Sequence, residues 1–151
     1  MSDNLVFLMG ACPVPFPVDR RYARNHMWAQ RRGETYRFGF TAYAVRLLQD
    51  VYFLDWTVAP GTELVERQEI GSIESKKAES TLYAPIAGRL TAFNEELLHD
   101  PTAINVETYE AGWLFELAGS GDSLLSAEDY IAYLTSVWEV TQRTIKGQLN
   151  R

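Results

Sequence analysis

The sequence predicts a mainly β protein with peripheral helices, in a chain of 151 residues. Two short segments, residues 69–74 and 81–84, alternate apolar and polar residues with the two-residue period of half-buried strands. Turn signals bound these segments, Ala59-Pro60-Gly61 before them and Ala84-Pro85-Ile86-Ala87-Gly88 after them. An apolar share of 46% supports one folded domain with a core of its own.

The N-terminal segment, residues 1–21, is predicted to be an extended arm. Proline occupies every second position there, at Pro13, Pro15 and Pro17. Because proline has no amide hydrogen and a fixed φ, this spacing disfavours both helix and sheet. Three apolar residues nevertheless favour packing of the arm against the body: Val14, Phe16 and Val18.

The body is predicted to begin with a hairpin. Its strands cover residues 27–30 and 36–40 and flank a turn at Arg32-Gly33-Glu34. Thr41 then has the side chain of an N-cap for a short helix over residues 41–48. One face of this helix is apolar: Tyr43, Leu47 and Leu48.

The remaining strands surround the central hairpin. Residues 51–58 predict a largely buried strand before it, and residues 89–93 a strand after it. Residues 94–105 are predicted to be a loop with one helical turn at 95–98. A late strand is predicted over residues 113–117.

The chain is predicted to end in a linker and a helix. Residues 119–122 form the linker, and Ser126 with Asp129 has the pattern of a capping box. A helix over residues 126–143 is expected to pack on the sheet through side chains at helical spacing: Tyr130, Leu134, Val137, Trp138 and Ile145. We therefore divide the chain into an arm, a body, and a linker with its helix: residues 1–21, 22–118 and 119–151.

Composition and charge narrow the function. Residues 20–46 contain seven arginines against one acid, and residues 50–129 contain sixteen acids against four bases. We expect a solvated basic face and an acidic body that repels nucleic acid, because no nucleic-acid motif accompanies the arginines. The single Cys12 excludes an internal disulfide and a multi-cysteine metal site. The apolar run before Cys12 has five residues and no basic residue ahead of it, so we expect a cytoplasmic protein without a membrane span.

No catalytic constellation is visible in the sequence. No nucleophile, base and acid can be placed together, and two separated histidines do not make a metal site. His26, beside Trp28, predicts a structural hydrogen-bonding residue rather than a proton shuttle. We therefore expect that the chain is not an enzyme.

The most informative residues are Lys76 and Lys77, at the turn between the two alternating segments. Lysine is rare here, because only three of the 14 basic residues are lysines. An amine on a flexible stem can be acylated, whereas a guanidinium cannot take that role. A solvated hairpin tip is the simpler interpretation of such a pair. The spacing argues against it, since Gly61 lies sixteen residues before Lys77 and Gly88 eleven after it.

This arrangement resembles the biotinyl/lipoyl carrier domains, and more narrowly the glycine cleavage system H-protein family, over about residues 22–140. That family has Glu-Ser-x-Lys-Ala, then Ser-x-x-Tyr-x-Pro, then Gly-Trp-Leu. The corresponding segments here are Glu74-Ser75-Lys76-Lys77-Ala78, Ser80-Thr81-Leu82-Tyr83-Ala84-Pro85 and Gly112-Trp113-Leu114. Upstream, Asn25-His26-Met27-Trp28 resembles the family's His-Glu-Trp, and residues 39–44 resemble its Gly-Ile-Thr-x-Tyr-Ala.

The resemblance implies a fold, a cofactor and a site. The implied fold is the lipoyl-type barrel-sandwich hybrid, a flattened barrel of two antiparallel sheets, with a C-terminal helix. The implied cofactor is lipoic acid, bound covalently to Lys77 at an exposed hairpin tip. The residues implied around that tip are Glu74, Ser75, Ala78, Ser80 and Tyr83.

The resemblance also implies partners. A lipoate ligase or lipoyltransferase would load the arm of a monomeric carrier. The loaded arm would serve glycine decarboxylase, aminomethyltransferase and dihydrolipoyl dehydrogenase. Biotin is disfavoured, because biotin carriers have a Met-Lys-Met tip and Lys76 precedes Lys77 here.

Four departures from the family pattern leave alternatives open. Met27 stands for the family's glutamate, Thr81 for an aspartate and Gln49 for a glycine, and residues 107–110 differ from its Asp-Pro-Tyr-Gly. The lost carboxylates lie near the folded arm in that family, so handling of a cationic aminomethyl cargo is in question. One alternative is an H-like lipoate-binding protein that serves a heterodisulfide-reductase-like complex in sulfur oxidation. A second is an unmodified scaffold or binding domain.

Overall fold

The computed structural model describes residues 4–149, and the side chains of residues 4–140. Within that range the chain is mostly β, as predicted, with eleven strands and four helices. Their bounds in chain order are β1 Asn4–Met9, β2 Cys12–Pro17, β3 Arg21–Tyr22, β4 Met27–Arg32, β5 Thr35–Phe40, α1 Ala42–Leu48, β6 Val51–Trp56, β7 Glu63–Leu64, β8 Glu69–Ser75, β9 Glu79–Tyr83, β10 Gly88–Phe93, α2 Glu96–His99, α3 Thr102–Val106, β11 Phe115–Ala118 and α4 Ala127–Leu149.

The described strands form three antiparallel sheets. The largest has the order β3-β4-β5-β11-β10-β7, the second is β6-β8-β9, and the third is the β1-β2 hairpin. The main core lies between the first two sheets, where apolar side chains such as Phe38, Leu117, Leu54 and Ile73 meet. This sandwich confirms the predicted fold class. The strands described leave both of its sheets with open edges, so the sandwich is not a closed barrel.

The hairpin and helix predicted at the start of the body are present. β4 and β5 meet at Gly33, and Thr41 caps α1, its Oγ1 accepting the N–H of Ala44 at 3.3 Å. The late strand is β11, which begins at Phe115 rather than at residue 113.

Residues 4–17 form a β-hairpin, so the prediction that alternating prolines keep this segment out of a sheet is wrong. β1 and β2 pair from Met9↔Cys12 at the turn to Asn4↔Pro17 at the open end. Hydrogen-bonded and non-hydrogen-bonded pairs alternate along an antiparallel ladder, and the pair that closes a two-residue turn is hydrogen-bonded. All three prolines therefore occupy non-hydrogen-bonded positions, where the missing N–H would point away from β1.

Tyrosine side chains cover the outer edge of β2. The Tyr109 hydroxyl donates to the carbonyl of Pro15 at 2.7 Å, and the Tyr22 hydroxyl donates to the carbonyl of Pro17 at 2.6 Å. The carbonyl groups of Pro15 and Pro17 on this edge therefore have partners in the body. The proline spacing removes the N–H groups that would otherwise lie unpaired beside them.

The N-terminal hairpin packs with β3 and α4 in a second apolar cluster. Phe16 meets Tyr130 edge to face, with 5.2 Å between ring centroids, and Tyr130 stacks on Tyr22 at 4.9 Å. The predicted packing is thus confirmed for Val14 and Phe16, which are buried, and wrong for Val18, which is exposed. The limits assigned above to the arm and the body stay predictions.

The C-terminal helix α4 begins where it was predicted. The Oγ of Ser126 accepts the N–H of Asp129 at 3.1 Å, which satisfies one of the free donors of the first turn. α4 packs on β1 and on β3, an edge strand of the large sheet, and Tyr130 is its most buried aromatic residue. The side chain of Ile145 lies outside the described residues. No helix within residues 4–149 is both long and apolar enough to cross a bilayer.

Strand β6 is shorter and less buried than predicted. It covers Val51–Trp56, and Val51 and Leu54 are buried while Tyr52 and Phe53 face solvent. A β-bulge interrupts its pairing with β8 between Val51 and Phe53. Because a bulge adds one residue to the strand and breaks its alternation, two consecutive side chains point outward.

The segment over residues 94–105 contains two helices instead of one helical turn. α2 covers most of the predicted turn, whereas α3 was not predicted. The Asp100 carboxylate accepts the N–H of Thr102 at 3.0 Å at the start of α3. Such a side-chain contact to the backbone two residues on is typical of Asp before a helical turn.

Two arginines of the basic stretch are not solvated. Arg20 is buried, donates to the main-chain carbonyl of Tyr109, and lies over the ring of Trp28 at 4.7 Å. Arg37 is half-buried and lies over the ring of Trp113 at 4.1 Å. The prediction of a solvated basic face is therefore wrong for these two residues. Arg20 packs against the rings of Trp28 and Tyr109, and Arg37 packs against the ring of Trp113.

Candidate functional site

Lys76 and Lys77 lie at the tip of the β8–β9 hairpin, as predicted. The N–H of Ser75 donates to the carbonyl of Ala78 at 2.9 Å, and the Ser75 Oγ accepts the N–H of Ala78 at 3.2 Å. The N–H of Lys76 donates to the carbonyl of Asp50 at 2.8 Å, which ties the tip to the start of β6. These contacts fix the backbone, while both lysine side chains are exposed. The tip thus presents an amine on a rigid support.

The two glycines that flank the hairpin each occupy a position where a side chain would not fit the backbone. Gly61 has φ +95°, a left-handed conformation that side chains other than glycine's seldom adopt. A Cβ on Gly88 would lie 2.5 Å from the carbonyl oxygen of Ala118, so β10 and the end of β11 approach too closely for a side chain. Gly61 thus lies in the turn before β7, and Gly88 begins β10 after the hairpin.

Acidic residues surround the tip. Glu74 and Glu79 face each other across β8 and β9, and both are exposed. The three strands of the tip sheet, β6, β8 and β9, include four acids and no basic residue. A lysine at this tip is therefore a cation on an acidic surface, which favours partners with a basic rim.

An apolar cavity of about 340 Å³ lies beside the tip, between β9 and α1. Ala78 and Ser80 line its end nearest the lysines, and Asn25 and Tyr83 line its far end. The Asn25 side chain donates to the carbonyl of Tyr83 at 3.1 Å and so closes the far end of the cavity. Most other lining residues are apolar: Met27, Phe40, Ala44, Leu47, Leu48, Ile73 and Leu82. The shape and polarity suit a long apolar arm with a few polar atoms.

Met27 and Thr81, which depart from the resembled family, both line this cavity. Met27 is 2% exposed and contributes a thioether to the wall, whereas Thr81 is exposed at the rim. The described residues that line the cavity include no carboxylate. A cationic group at the end of an arm would find no opposite charge in this wall.

His26 lies in the cavity wall and has a structural hydrogen bond, as predicted. Its Nδ1 is 2.8 Å from the hydroxyl of Tyr130, which is also 3.2 Å from the Oγ1 of Thr41. Burial lowers the pKa of His26 from its usual 6.5 to about 4, so the ring is neutral at pH 7. Its backbone has φ +69°, a left-handed conformation that is uncommon for residues other than glycine. The partner Tyr130 is 104 residues away, and no local sequence signal connects the two.

The residues predicted around the tip occupy three different positions. Ala78, Ser80 and Tyr83 line the cavity, whereas Glu74 stays outside it on the open face of the sheet. Ser75 closes the turn. In the described part of the chain, no three potential ligands from His, Cys, Asp and Glu cluster closely enough to hold a metal ion.

Comparison with known proteins identifies one family. The family model described as glycine cleavage H-protein matches residues 20–137. A probable glycine cleavage system H protein from Natronomonas pharaonis is 39% identical over 121 residues, which cover 78% of this chain and 95% of that protein. The glycine cleavage system H protein of Myxococcus xanthus is 35% identical over 138 residues, 89% of this chain and 98% of that one.

A solved structure has the same fold. The crystal structure of a glycine cleavage system H protein from Mycobacterium marinum matches with a TM-score of 0.68 at 30% identity, and covers 80% of this chain and 98% of that one. The match to the family model includes the lysine tip, the cavity and the first part of α4. Strands β1 and β2 lie outside it.

Proposed function

The chain belongs to the glycine cleavage H-protein family, and from that membership we propose that it is a lipoyl carrier whose arm is attached to Lys77. Lipoic acid, bound covalently, is the cofactor of this family. The observation that carries the site is a pair of exposed lysines at a rigid hairpin tip beside an apolar cavity, and the resemblance of residues 74–78 to Glu-Ser-x-Lys-Ala selects Lys77 from that pair. When bound, the cofactor supplies a dithiolane that can be reduced and can hold a carried group.

The residues around the tip fit such an arm. Acylation turns the Lys77 amine into a neutral amide, which removes the charge that would oppose entry into an apolar cavity. The cavity of about 340 Å³ has the volume for a folded chain of this kind. Ser80 and Tyr83 line the cavity, and their hydroxyl groups can offer hydrogen bonds to polar atoms of the arm.

The chain itself catalyses no step in this proposal, and its partners supply the reaction chemistry. Those partners are glycine decarboxylase, aminomethyltransferase and dihydrolipoyl dehydrogenase, with a lipoate ligase or lipoyltransferase to load the arm. The hydrogen bond between His26 and Tyr130 supports this division, because it gives the ring a structural role in the fold. A tethered arm raises the local concentration of its cargo at each active site, which is the carrier's contribution. We expect it to act as a monomer.

Intact mass after co-expression with a lipoate ligase tests the proposal most directly. The expected product has gained one lipoyl group by amide formation, with loss of one water. The purified lipoylated protein should then support glycine–bicarbonate exchange with the other three proteins of the system. A chain that stays at its unmodified mass with active ligase would overturn the proposal and favour a scaffold role.

A further inference from the structure

The bulge in β6 turns two consecutive aromatic side chains to solvent. Tyr52 is 61% exposed and Phe53 is 54% exposed, although both belong to a strand whose neighbours Val51 and Leu54 are buried. Exposed aromatic side chains are enriched where proteins bind each other, because they bury much area with few rotatable bonds. Bulges are frequent where a strand must re-aim a side chain.

This pair lies directly beside the lysine tip. Phe53 is opposite Glu74 in the β6–β8 ladder, and Asp50, at the start of β6, holds the N–H of Lys76 through its carbonyl. β6 is one edge of the three-stranded sheet, and β9, which borders the arm cavity, is the other edge. The aromatic pair therefore stays uncovered when an arm folds into the cavity.

A neighbouring helix supports the start of β6. The Asn105 side chain of α3 accepts the N–H of Val51 at 3.0 Å and donates to the carbonyl of Gln49 at 2.7 Å. These contacts hold the strand that carries the two exposed aromatic side chains. We call Tyr52 and Phe53 the β6 patch.

We infer that the β6 patch is the docking surface for the enzyme that acylates Lys77, an inference that rests on the function proposed above. That enzyme joins the lysine nitrogen to the carbonyl of an activated lipoyl ester or mixed anhydride. The bond to the activating group breaks, an amide forms, and the nitrogen loses a proton. The nitrogen of an unmodified lysine lies only about 6 Å from its Cα. The active site of the loading enzyme must therefore contact the hairpin tip itself.

This requirement separates the loading enzyme from the enzymes that use the arm. A loaded arm carries its reactive end well beyond the lysine, so those enzymes need not enclose the tip. The loading enzyme must do so, and the β6 patch is the apolar surface next to Lys77 on the side away from the cavity. The acids of the tip sheet indicate that its docking site is an apolar recess with a basic rim.

The test compares the rate of lipoylation of the wild type with that of the double variant Tyr52→Thr/Phe53→Thr. Threonine keeps strand propensity and removes the aromatic area. We expect kcat/KM for attachment to fall about tenfold or more, as for loss of an aromatic anchor. The matched control is Val6→Thr/Leu8→Thr, which changes two equally exposed apolar residues on β1 and should stay within about twofold.

Two further measurements make each outcome decisive. Thermal unfolding checks that the variants are folded. If the double variant unfolds, the single variants Tyr52→Thr and Phe53→Thr take its place, and each should show a smaller loss of attachment rate.

The double variant, once it has been lipoylated by prolonged reaction, should support glycine–bicarbonate exchange at the wild-type rate. Attachment within about twofold of wild type would overturn the inference but leave the carrier function intact, and an equal loss in attachment and exchange would also overturn it. Failure of the wild type to be lipoylated would instead reject the proposed function.

Discussion

Lys76 and Lys77 are adjacent and exposed, yet the backbone of the tip distinguishes them. Both are central residues of the turn that Ser75 and Ala78 close, but the N–H of Lys76 donates to the carbonyl of Asp50. We expect Lys77→Arg to abolish lipoylation and Lys76→Arg to retain it, because arginine keeps the charge but offers no amine for acylation. Intact mass after co-expression with the ligase measures both. Loss of the modification in the Lys76 variant alone would move the attachment site by one residue.

His26 makes the stability of the fold depend on pH. Its pKa is about 4 in the folded protein and near 6.5 in the unfolded chain, because burial disfavours the charged ring. The unfolded state therefore binds more protons between these values, so its contribution to stability is present above pH 6.5 and is lost as the pH falls towards 4. Between pH 6.5 and pH 5 the free energy of unfolding should fall by on the order of 1 kcal/mol from this residue.

Chemical denaturation at a series of pH values measures the slope of the free energy of unfolding against pH. In His26→Asn the slope between pH 6.5 and pH 5 should flatten, and asparagine tolerates the positive φ at that position. His99→Asn, at the exposed second histidine, is the control and should keep the wild-type slope. An unchanged slope in the His26 variant would contradict the assignment of a buried, neutral ring to His26.

At the scale of elements, the N-terminal hairpin is expected to behave as part of the folded core. Phe16 is fully buried between Tyr22 and Tyr130. Phe16→Ala should lower the free energy of unfolding by about 3 kcal/mol through lost contacts and a cavity. Val6→Ala, on the exposed face of the same hairpin, should change it by less than about 0.5 kcal/mol. Similar small effects from both variants in denaturant titrations would mean that the hairpin is not packed in solution.

The elements that were predictable carry their signal locally. The β8–β9 hairpin is defined by alternation and flanking glycines, and α1 and α4 by the capping residues Thr41 and Ser126. The failures come from side chains distant in sequence or from breaks in periodicity. The N-terminal hairpin depends on hydroxyl groups of Tyr22 and Tyr109, and the burial of β6 depends on a bulge that alternation does not reveal.

The candidate site divides in the same way. Sequence motifs were enough to predict the lysine tip and to place Met27 and Thr81 near the arm. The contact of His26 with Tyr130 and the bridge from Asn25 to Tyr83 could not be predicted, because they join elements 104 and 58 residues apart.

At the scale of the whole molecule, the charge of the cavity wall determines which cargo the loaded arm holds well. Its described lining has no carboxylate, so a cationic aminomethyl group should be held poorly. Thr81→Asp adds a charge at the exposed rim and should raise glycine–bicarbonate exchange by about fivefold, an interaction of about 1 kcal/mol. Met27→Glu is a poorer probe, because Met27 is 2% exposed and a buried carboxylate would destabilise the fold.

Exchange rates of the lipoylated proteins decide this point. Thr81→Asn is the matched control, because it has nearly the same shape as the aspartate without its charge. Wild-type turnover equal to that of an authentic H protein would contradict the effect expected from the cavity wall. A complete absence of turnover with all partners active would indicate a different lipoyl-dependent system.

The alternating prolines of β2 also restrict how the hairpin can fold. A slip of one residue against β1 would move the prolines onto hydrogen-bonded positions, where three ladder bonds would lack donors. The same slip would turn Val14 and Phe16 to solvent, since a one-residue shift exchanges the two faces of a strand. Backbone and side chains thus penalise the same error, so the spacing of the prolines excludes a one-residue slip of β2 without help from the body.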